Sequence, residues 1–216
     1  MEETVQRIVE LLPKCDNIIG LVSPTQYNHL IPELIERIRA KGENPTVVYN
    51  SNGYENPSTL RVLDPYIDIY LPDYKYADAE TAHRYSNAYN YPEKALDSLK
   101  EMYYQKGSTL ITDENGIARQ GMIIRHLVLP NNINNSKHVL ESIAENLSTN
   151  IHISLMSQYF PPEGTTLPIE LYRTINSEEY EIIVRYFEEL GFHNGWIQDL
   201  LSAEQYKPNF SEKDAF

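Results

Sequence analysis

The sequence has few of the residues that make cross-links, phosphate-binding loops and metal sites. Its 216 residues include one cysteine, Cys15, so no disulfide can form within the chain, as in proteins of a reducing compartment. A lone cysteine between a helix and a strand is expected to be a small buried side chain. The 9 glycines are dispersed and the 6 histidines show no metal-binding spacing. The protein residues alone therefore indicate neither a phosphate loop nor a metal centre.

Positive charge and long apolar runs are also scarce. Lysine and arginine together number 18 against 31 acidic residues, which gives a net charge of −13 without any basic stripe. Nucleic-acid and anionic-membrane surfaces need clustered positive charge, so neither partner is expected. No stretch of 18 apolar residues exists to span a membrane, and the acidic start MEETVQRIVELL is not a signal peptide. We expect a cytoplasmic protein.

Apolar runs and helical patterns alternate along the chain. Hydrophobic residues make up 41% of the sequence, and no linker or repeat divides it, so we expect one domain over residues 1–216. Asn176 and Glu179 predict a helix start, and Asn115-Gly116 predicts a hairpin. The predicted helices cover 2–12, 30–41, 58–62, 93–106, 136–147 and 176–190. The predicted strands cover 18–23, 46–50, 67–71, 122–129 and 151–156.

Helices between apolar strands force parallel pairing with both sheet faces covered. The fold class is therefore α/β, either a doubly wound open sheet or a full or partial β/α barrel. Both place function at the carboxyl ends of the strands. Function is thus expected where the strands end.

The predicted strands end in polar segments. Asp73 and Lys75 lie two residues apart, just after a strand, so the strand period places both on one face. Proline and asparagine in such segments also serve simply to end strands and start helices. The five segments are SPTQY (23–27), NSNGY (50–54), PDYKY (72–76), RHLVLPNNINN (125–135) and SQY (157–159).

Arg125 and His126 stand within an apolar strand. A buried arginine needs an anionic partner, because a lone buried charge costs several kcal/mol. An internal carboxylate such as Asp73 and a ligand carboxylate are both candidates. Alternation directs only one of the two strand residues inward, so His126 is either a hydrogen-bonded core histidine or a rim group.

Several long blocks of the sequence resemble one family. The blocks NIIGLVSPTQY, LDPYIDIYLPDYKYAD and GIARQGMIIRHLVLPNNINNS, followed by ISLMSQYFP, are similar to the radical S-adenosylmethionine superfamily, in an uncharacterised branch like the pyruvate formate-lyase activating enzymes. The resemblance implies a partial (βα)6 TIM-like barrel. It also implies a [4Fe-4S] iron–sulfur cluster on a CxxxCxxC loop, reductive cleavage of S-adenosylmethionine, and an oxidoreductase that forms a glycyl radical on a partner protein.

The chain departs from that family at the cluster. It has no CxxxCxxC, and Cys15 does not stand at a cluster position. One thiolate cannot hold a cluster that needs several cysteine ligands. We therefore expect a truncated core whose barrel lacks its first βα unit, and a chain that does not perform radical chemistry alone.

The resemblance also implies ligand contacts in the first three polar segments. Thr25 corresponds to the position that contacts the ligand amine, by its backbone or its hydroxyl. Asn50 and Asn52 follow the next strand. Asp73 and Lys75 match a motif of the activating enzymes, and such a charged pair suits a zwitterion such as S-adenosylmethionine.

Three further contacts are implied later in the chain. Arg125 would meet the ligand carboxylate or ribose. Gln158 and Tyr159 stand on the adenine or ribose side, where activating enzymes carry a histidine. The 17 tyrosines include many in residues 70–91, where we expect a tyrosine-rich loop between the strand 67–71 and the helix 93–106.

Two other functions fit the residues. A non-catalytic α/β-barrel binding or scaffold protein needs no cluster. A metal-free lyase or hydrolase would use Asp73 and Lys75 as acid and base. The expected partner of the family is a glycyl-radical enzyme or another protein substrate, and an open sheet edge predicts oligomers.

Overall fold

The chain adopts an α/β fold. A computed structural model describes residues 1–162 and 164–200, in which helices and strands alternate along the sequence. Within those residues, no helix combines the length and the apolar character needed to cross a bilayer.

The helices and strands lie close to the predicted ranges. The strands are β1 (Ile18–Val22), β2 (Thr46–Ser51), β3 (Ile69–Pro72), β4 (Ile111–Thr112), β5 (Ala118–Leu127), β6 (His152–Met156) and β7 (Gly195–Ile197). The helices are α1 (Glu2–Leu11), α2 (Ile31–Ala40), α3 (Pro57–Leu63), α4 (Ala79–Ser86), α5 (Tyr91–Lys106), α6 (Ile133–Asn146) and α7 (Ser177–Glu189). A 3-10 helix, Thr25–Leu30, leads into α2.

The strands form a sheet in the order β1-β2-β3-β5-β6-β7, with β4 added beside β5. The pairs β1–β2, β2–β3, β3–β5 and β6–β7 are parallel, as expected for strands joined by helices. The pair β4–β5 is antiparallel. The parallel α/β arrangement predicted from the sequence is therefore confirmed.

The described chain packs as two compact units that interleave along the sequence. The first unit contains Met1–Tyr74, Glu93–Ile124 and Asn150–His152. The second contains Lys75–Pro92, Arg125–Thr149 and the described residues from Ile153 onward. The single domain over 1–216 stays a prediction, and each unit is described separately below.

The strands β2 and β3 contribute large buried side chains to the core of the first unit. Tyr49 and Tyr70 are fully buried and meet edge to face with ring centroids 5.9 Å apart. The Tyr70 hydroxyl donates to Gln105 of α5 at 2.6 Å, which gives the buried phenol the partner it needs. The amide of Val47 in β2 donates to Asp68 Oδ2 at 2.7 Å. This bond ties the residue before β3 to the neighbouring strand, and β3 begins at Ile69.

The core of the second unit lies between β6 and the helices α6 and α7. Leu140, Ile153 and Ile183 are fully buried there. At the start of α7, Asn176 Oδ1 accepts from the Glu179 amide and Glu179 accepts from the Asn176 amide, which is the predicted capping box.

The predicted hairpin is confirmed with a longer loop. β4 and β5 are antiparallel, and Asp113 Oδ1 accepts from the amides of Asn115 and Ile117 at 2.9 and 3.0 Å. Gly116 adopts φ +79°, a conformation that favours glycine. The side chain of Asp113 thus fixes a loop wider than the two-residue turn.

Two expectations about this fold were wrong. Residues 79–86 of the expected tyrosine-rich loop form α4, whose start is capped by Asp78 Oδ1 accepting from the Thr81 amide at 2.7 Å. Cys15 is exposed rather than buried, because Leu12 takes the core position and Asp16 turns the chain with a φ of 48°.

Candidate functional site

The carboxyl ends of β1, β2 and β3 meet at one edge of the first unit. The amide of Ser23, just after β1, donates to the Asn50 carbonyl at 2.8 Å. The amide of Asp73, just after β3, donates to the Ser51 carbonyl at 2.9 Å. The structure thus brings together the predicted residues Asn50 and Asp73.

The turn after β2 is held by its own side chains. Ser51 Oγ accepts from the Gly53 amide at 3.1 Å, and Asn52 Oδ1 accepts from the Tyr54 amide at 2.9 Å. Gly53 adopts φ +77°. Asn52 therefore shapes the turn, while Asn50 is half-buried within the strand.

The hydroxyl of Thr25 belongs to a buried hydrogen-bond network. Thr25 Oγ1 donates to Glu55 Oε1 at 2.6 Å, and Asn28 Nδ2 donates to Glu55 Oε2 at 3.4 Å. Tyr49 Oη donates to Asn28 Oδ1 at 2.9 Å. Burial first, and then the negative charge of Glu55, raise the pKa of Tyr49. Glu55, only 3% exposed, is the centre of this network.

Glu55 and Asn28 were not among the residues predicted from the sequence. In the sequence, Glu55 stands out only as an acidic residue three positions after Asn52, in the polar break that follows β2. Glu55 lines a cleft of about 620 Å³ together with Thr25 and Asn28. A cleft with a buried carboxylate in its wall thus lies beside the 3-10 helix Thr25–Leu30.

Asp73 is half-buried, and its Oδ1 atom is fully covered. Burial alternates after β3: Tyr74 and Tyr76 are buried, whereas Asp73 and Lys75 are half-buried. This alternation follows the period of two that the sequence predicted for these residues. Asp73 belongs to the first unit and Lys75 to the second.

In the second unit, the backbone at Lys75 is held by two side chains. The Lys75 amide donates to Tyr91 Oη at 3.0 Å, and its carbonyl accepts from Asn135 Nδ2 at 2.9 Å. Asn135 Oδ1 also accepts from the Ala77 amide at 3.0 Å. Asn135 is 2% exposed and fixes the backbone of both residues, a role that no sequence pattern indicated.

Tyrosines surround this segment. Tyr76 meets Tyr85 and Tyr91 edge to face, with ring centroids 6.0 and 5.5 Å away. The Tyr76 hydroxyl shares a 2.9 Å hydrogen bond with Ser86 Oγ, and burial raises the pKa of Tyr76. These tyrosines form part of the packing of the second unit.

The sequence left two alternatives for His126, a hydrogen-bonded core histidine or a rim group, and the structure shows the core histidine. It is fully buried, and its Nε2 lies 2.9 Å from Ser136 Oγ of α6. Arg125 is half-buried, although its Nε atom is covered. The two residues therefore differ in burial, as strand alternation requires.

Gln158 and Tyr159 follow β6 and bond to other protein groups. Gln158 Oε1 accepts from Gln198 Nε2 at 2.9 Å, and Tyr159 Oη donates to the Leu171 carbonyl at 2.9 Å. Burial raises the pKa of Tyr159. Gln198 Oε1 also accepts from the Ser157 amide at 2.9 Å, which links this strand end to the residue after β7.

A second polar cleft, of about 650 Å³, lies in the second unit. Arg84 pairs with Glu170 at 2.8 Å, and Tyr85 Oη donates to Glu170 Oε1 at 2.9 Å. Burial and then Glu170 raise the pKa of Tyr85 to about 12. His83 stacks on Tyr89 with ring centroids 4.1 Å apart. The Glu170 carboxylate of this cleft is thus already paired with an arginine.

The eight predicted contacts divide between the units. Thr25, Asn50, Asn52 and Asp73 lie in the first, whereas Lys75, Arg125, Gln158 and Tyr159 lie in the second. Their role in binding stays a prediction. Among the residues that the structure describes, no three His, Cys, Asp or Glu side chains are grouped to hold a metal ion.

Comparisons with known proteins bear on the fold. No protein-family model matches the chain. The chain is 30% identical over 164 residues to an uncharacterized protein of Methanocaldococcus jannaschii, a match that covers 76% of this chain and 44% of the archaeal protein. The chain thus spans less than half the length of that relative.

A solved structure shares the architecture. It is a domain of a pyruvate-formate lyase-activating enzyme from Bacteroides vulgatus, with a TM-score of 0.59 and 14% sequence identity. The match covers 84% of this chain and 98% of that one. The likeness confirms the predicted α/β fold class of the partial-barrel type, which this chain shares with a domain of an activating enzyme.

Proposed function

We propose that the chain is a radical S-adenosylmethionine-type domain that binds an adenosyl ligand at the carboxyl ends of its parallel strands. The observation that carries the proposal is the fold shared with a domain of a pyruvate-formate lyase-activating enzyme over 84% of this chain. Polar residues at the strand ends support it, because parallel α/β sheets bind ligands at that edge.

In the first unit, the proposal assigns the ligand to the edge formed by the ends of β1, β2 and β3. The carboxylate of Asp73 attracts a cationic group of the ligand, and Asn50 and Asn52 supply neutral hydrogen bonds. The hydroxyl of Thr25 already donates to Glu55, so Thr25 contributes through its main chain.

Each of the four predicted residues of the second unit is proposed as a separate ligand contact. Arg125 offers a guanidinium to a carboxylate or ribose, and Lys75 offers an ammonium. Gln158 and Tyr159 offer an amide and a ring to a base or ribose. The side-chain bonds of these last two to Gln198 and Leu171 fix their orientations.

The residues of this chain do not fit an iron–sulfur cluster. Cys15 is the single cysteine and is exposed beside the turn Leu12–Lys14. A cluster of this kind needs several thiolates. The proposal for these 216 residues is therefore ligand binding without cleavage, and a glycyl-radical enzyme as partner is part of the same proposal for the whole protein.

Calorimetric titration with S-adenosylmethionine, and separately with 5′-deoxyadenosine, tests the proposal. Asp73→Asn and Arg125→Lys each remove one ligand contact and are expected to weaken binding at least about tenfold, which corresponds to ~1.4 kcal/mol. Asp97→Asn on α5 and Arg185→Lys on α7 are matched exposed controls that leave affinity unchanged. Absence of binding to either compound, or equal binding by all variants, would refute it.

The single cysteine favours a second candidate, a binding or scaffold protein that takes no adenosyl ligand. The same titration separates the two. Protein that is folded by circular dichroism and yet gives no heat with either compound supports the scaffold function.

A further inference from the structure

Glu55 is a buried carboxylate without a cation beside it. It is 3% exposed, and its hydrogen-bond donors, Thr25 and Asn28, are neutral. In the part of the chain that the structure describes, no lysine, arginine or histidine forms an ion pair with it. A charge taken out of water is stabilised strongly only by an opposite charge with good geometry.

The arrangement contrasts with the other buried acids of the protein. Glu101 pairs with Arg61 at 2.9 Å, and Glu179 pairs with Arg173 at 2.7 Å. Glu55 is at least as buried as either of them. Within the described residues, an arginine thus pairs with each of those two carboxylates, and no cation pairs with Glu55, which lines a cleft.

The Glu55 cleft has the size and walls of a small-molecule site. Its volume of about 620 Å³ lies within the usual range of ligand pockets, roughly 300–1,000 Å³. Ser58 and Thr59 add hydroxyl groups to its lining, and Pro32 and Val62 add apolar surface. Such a lining suits a ligand with a charged head and an aliphatic body.

The carboxylate retains acceptor capacity for that head. A carboxylate offers about four lone-pair sites, and hydrogen bonds with Thr25, Asn28 and the Tyr49 hydroxyl use at most three of them. A metal ion is disfavoured, because the described residues bring no group of three ligating side chains together. An ammonium or guanidinium needs only the carboxylate and neighbouring hydroxyl groups.

We propose that the Glu55 cleft binds a small aliphatic cation through an ion pair between its ammonium or guanidinium head and the Glu55 carboxylate. The aliphatic part lies against Pro32 and Val62. The site is separate from the proposed adenosyl contacts except for Thr25, whose hydroxyl orients Glu55.

Titration followed by amide NMR shifts tests this with n-butylammonium and butylguanidinium as probes and 1-butanol as the neutral isostere. At about pH 8 both probes are charged. Both cations are expected to shift the amides around Glu55, and the alcohol is not. A site that responds equally to the alcohol, or to none of the three, overturns the proposal.

Two variants and one control complete the test. Glu55→Gln keeps the shape, removes the charge and is expected to weaken cation binding at least about tenfold. Glu33→Gln, on the exposed face of α2, changes net charge equally and leaves binding unchanged. Val62→Trp, at a position 64% exposed, fills the cleft without disturbing the core and abolishes binding even if Glu55→Gln fails to fold. Unchanged affinity in Val62→Trp contradicts the site.

Discussion

At the scale of single residues, Asn135 fixes the backbone near a predicted ligand contact. Its amide accepts from Ala77 and donates to the Lys75 carbonyl. Asn135→Leu removes these partners from the backbone groups of two half-buried residues, so we expect a loss of about 1–3 kcal/mol in the free energy of unfolding. Urea denaturation measures it. The neighbouring Asn134→Leu, on the exposed side of α6, is the control, and equal losses in the two variants would contradict the assignment.

Glu179 makes stability depend on acid pH. Hydrogen bonds and charge from Arg173 lower its pKa from 4.5 to about 2, together with backbone hydrogen bonds from Asn131 and Asn176. Because the folded pKa lies below the unfolded one, this stabilisation is complete above pH 4.5 and is lost as the pH falls towards 2.

Denaturation of the wild type and Glu179→Gln across that pH range tests the linkage. The difference in unfolding free energy is expected to be largest above pH 4.5 and to shrink on acidification. Glu178→Gln, the exposed neighbour, serves as the control. A difference that stays constant with pH would show that the ion pair is not responsible.

Sequence patterns predicted which strand ends are polar but not which side chains interact. Alternation predicted that Arg125 and His126 differ in burial, and the structure confirms this. The link from Thr25 to Glu55 joins residues 30 positions apart. Such a contact depends on how a helix and a turn pack, and local sequence patterns do not contain that information.

At the scale of elements, β7 depends on one glycine. Gly195 has a φ of +119° and pairs with Ile153 of β6. A Cβ on Gly195 would collide with the carbonyl oxygen of Ile153 and lie 2.6 Å from the backbone nitrogen of Ile153. Gly195→Ala is therefore expected to lower the free energy of unfolding by ~2–4 kcal/mol. Gly20→Ala in β1, where a Cβ meets nothing within 4 Å, is the matched control in thermal denaturation. Equal melting temperatures for the two variants would refute the role.

The elements that the sequence missed share a physical cause. β1, β2 and β6 were predictable because each is a short apolar run, although in β1 only Ile19 is buried. α4 buries only Ala82, and all three residues of β7 are exposed. Neither element carries an apolar pattern. The side chain of Asp78 caps the start of α4, and the backbone of Gly195 pairs β7 with β6.

At the scale of the whole molecule, β1 is the first strand of the sheet order and presents apolar surface. Val22 is 71% exposed, and Leu21, Tyr27 and Leu30 line an apolar groove of about 440 Å³ beside it. We predict self-association along this edge, because a flat apolar edge strand pairs readily with another. Val22→Lys should shift the protein towards monomer in sedimentation equilibrium.

Val62→Lys on α3, at a site of similar exposure, is the control for that experiment. It adds the same charge away from the edge and is expected to leave association unchanged. A wild type that remains monomeric across the concentration series would contradict the prediction.

The interleaving of the two units along the sequence constrains the order in which the chain can fold during synthesis. The first unit needs Asn150–His152 to be complete, although most of its residues have been translated by Tyr74. The second unit begins at Lys75, before the first can close. The first unit therefore cannot be completed before two segments of the second, Lys75–Pro92 and Arg125–Thr149, have been translated. A nascent chain arrested before residue 150 should be protease-sensitive throughout, so that the molecule gains protection in one late step.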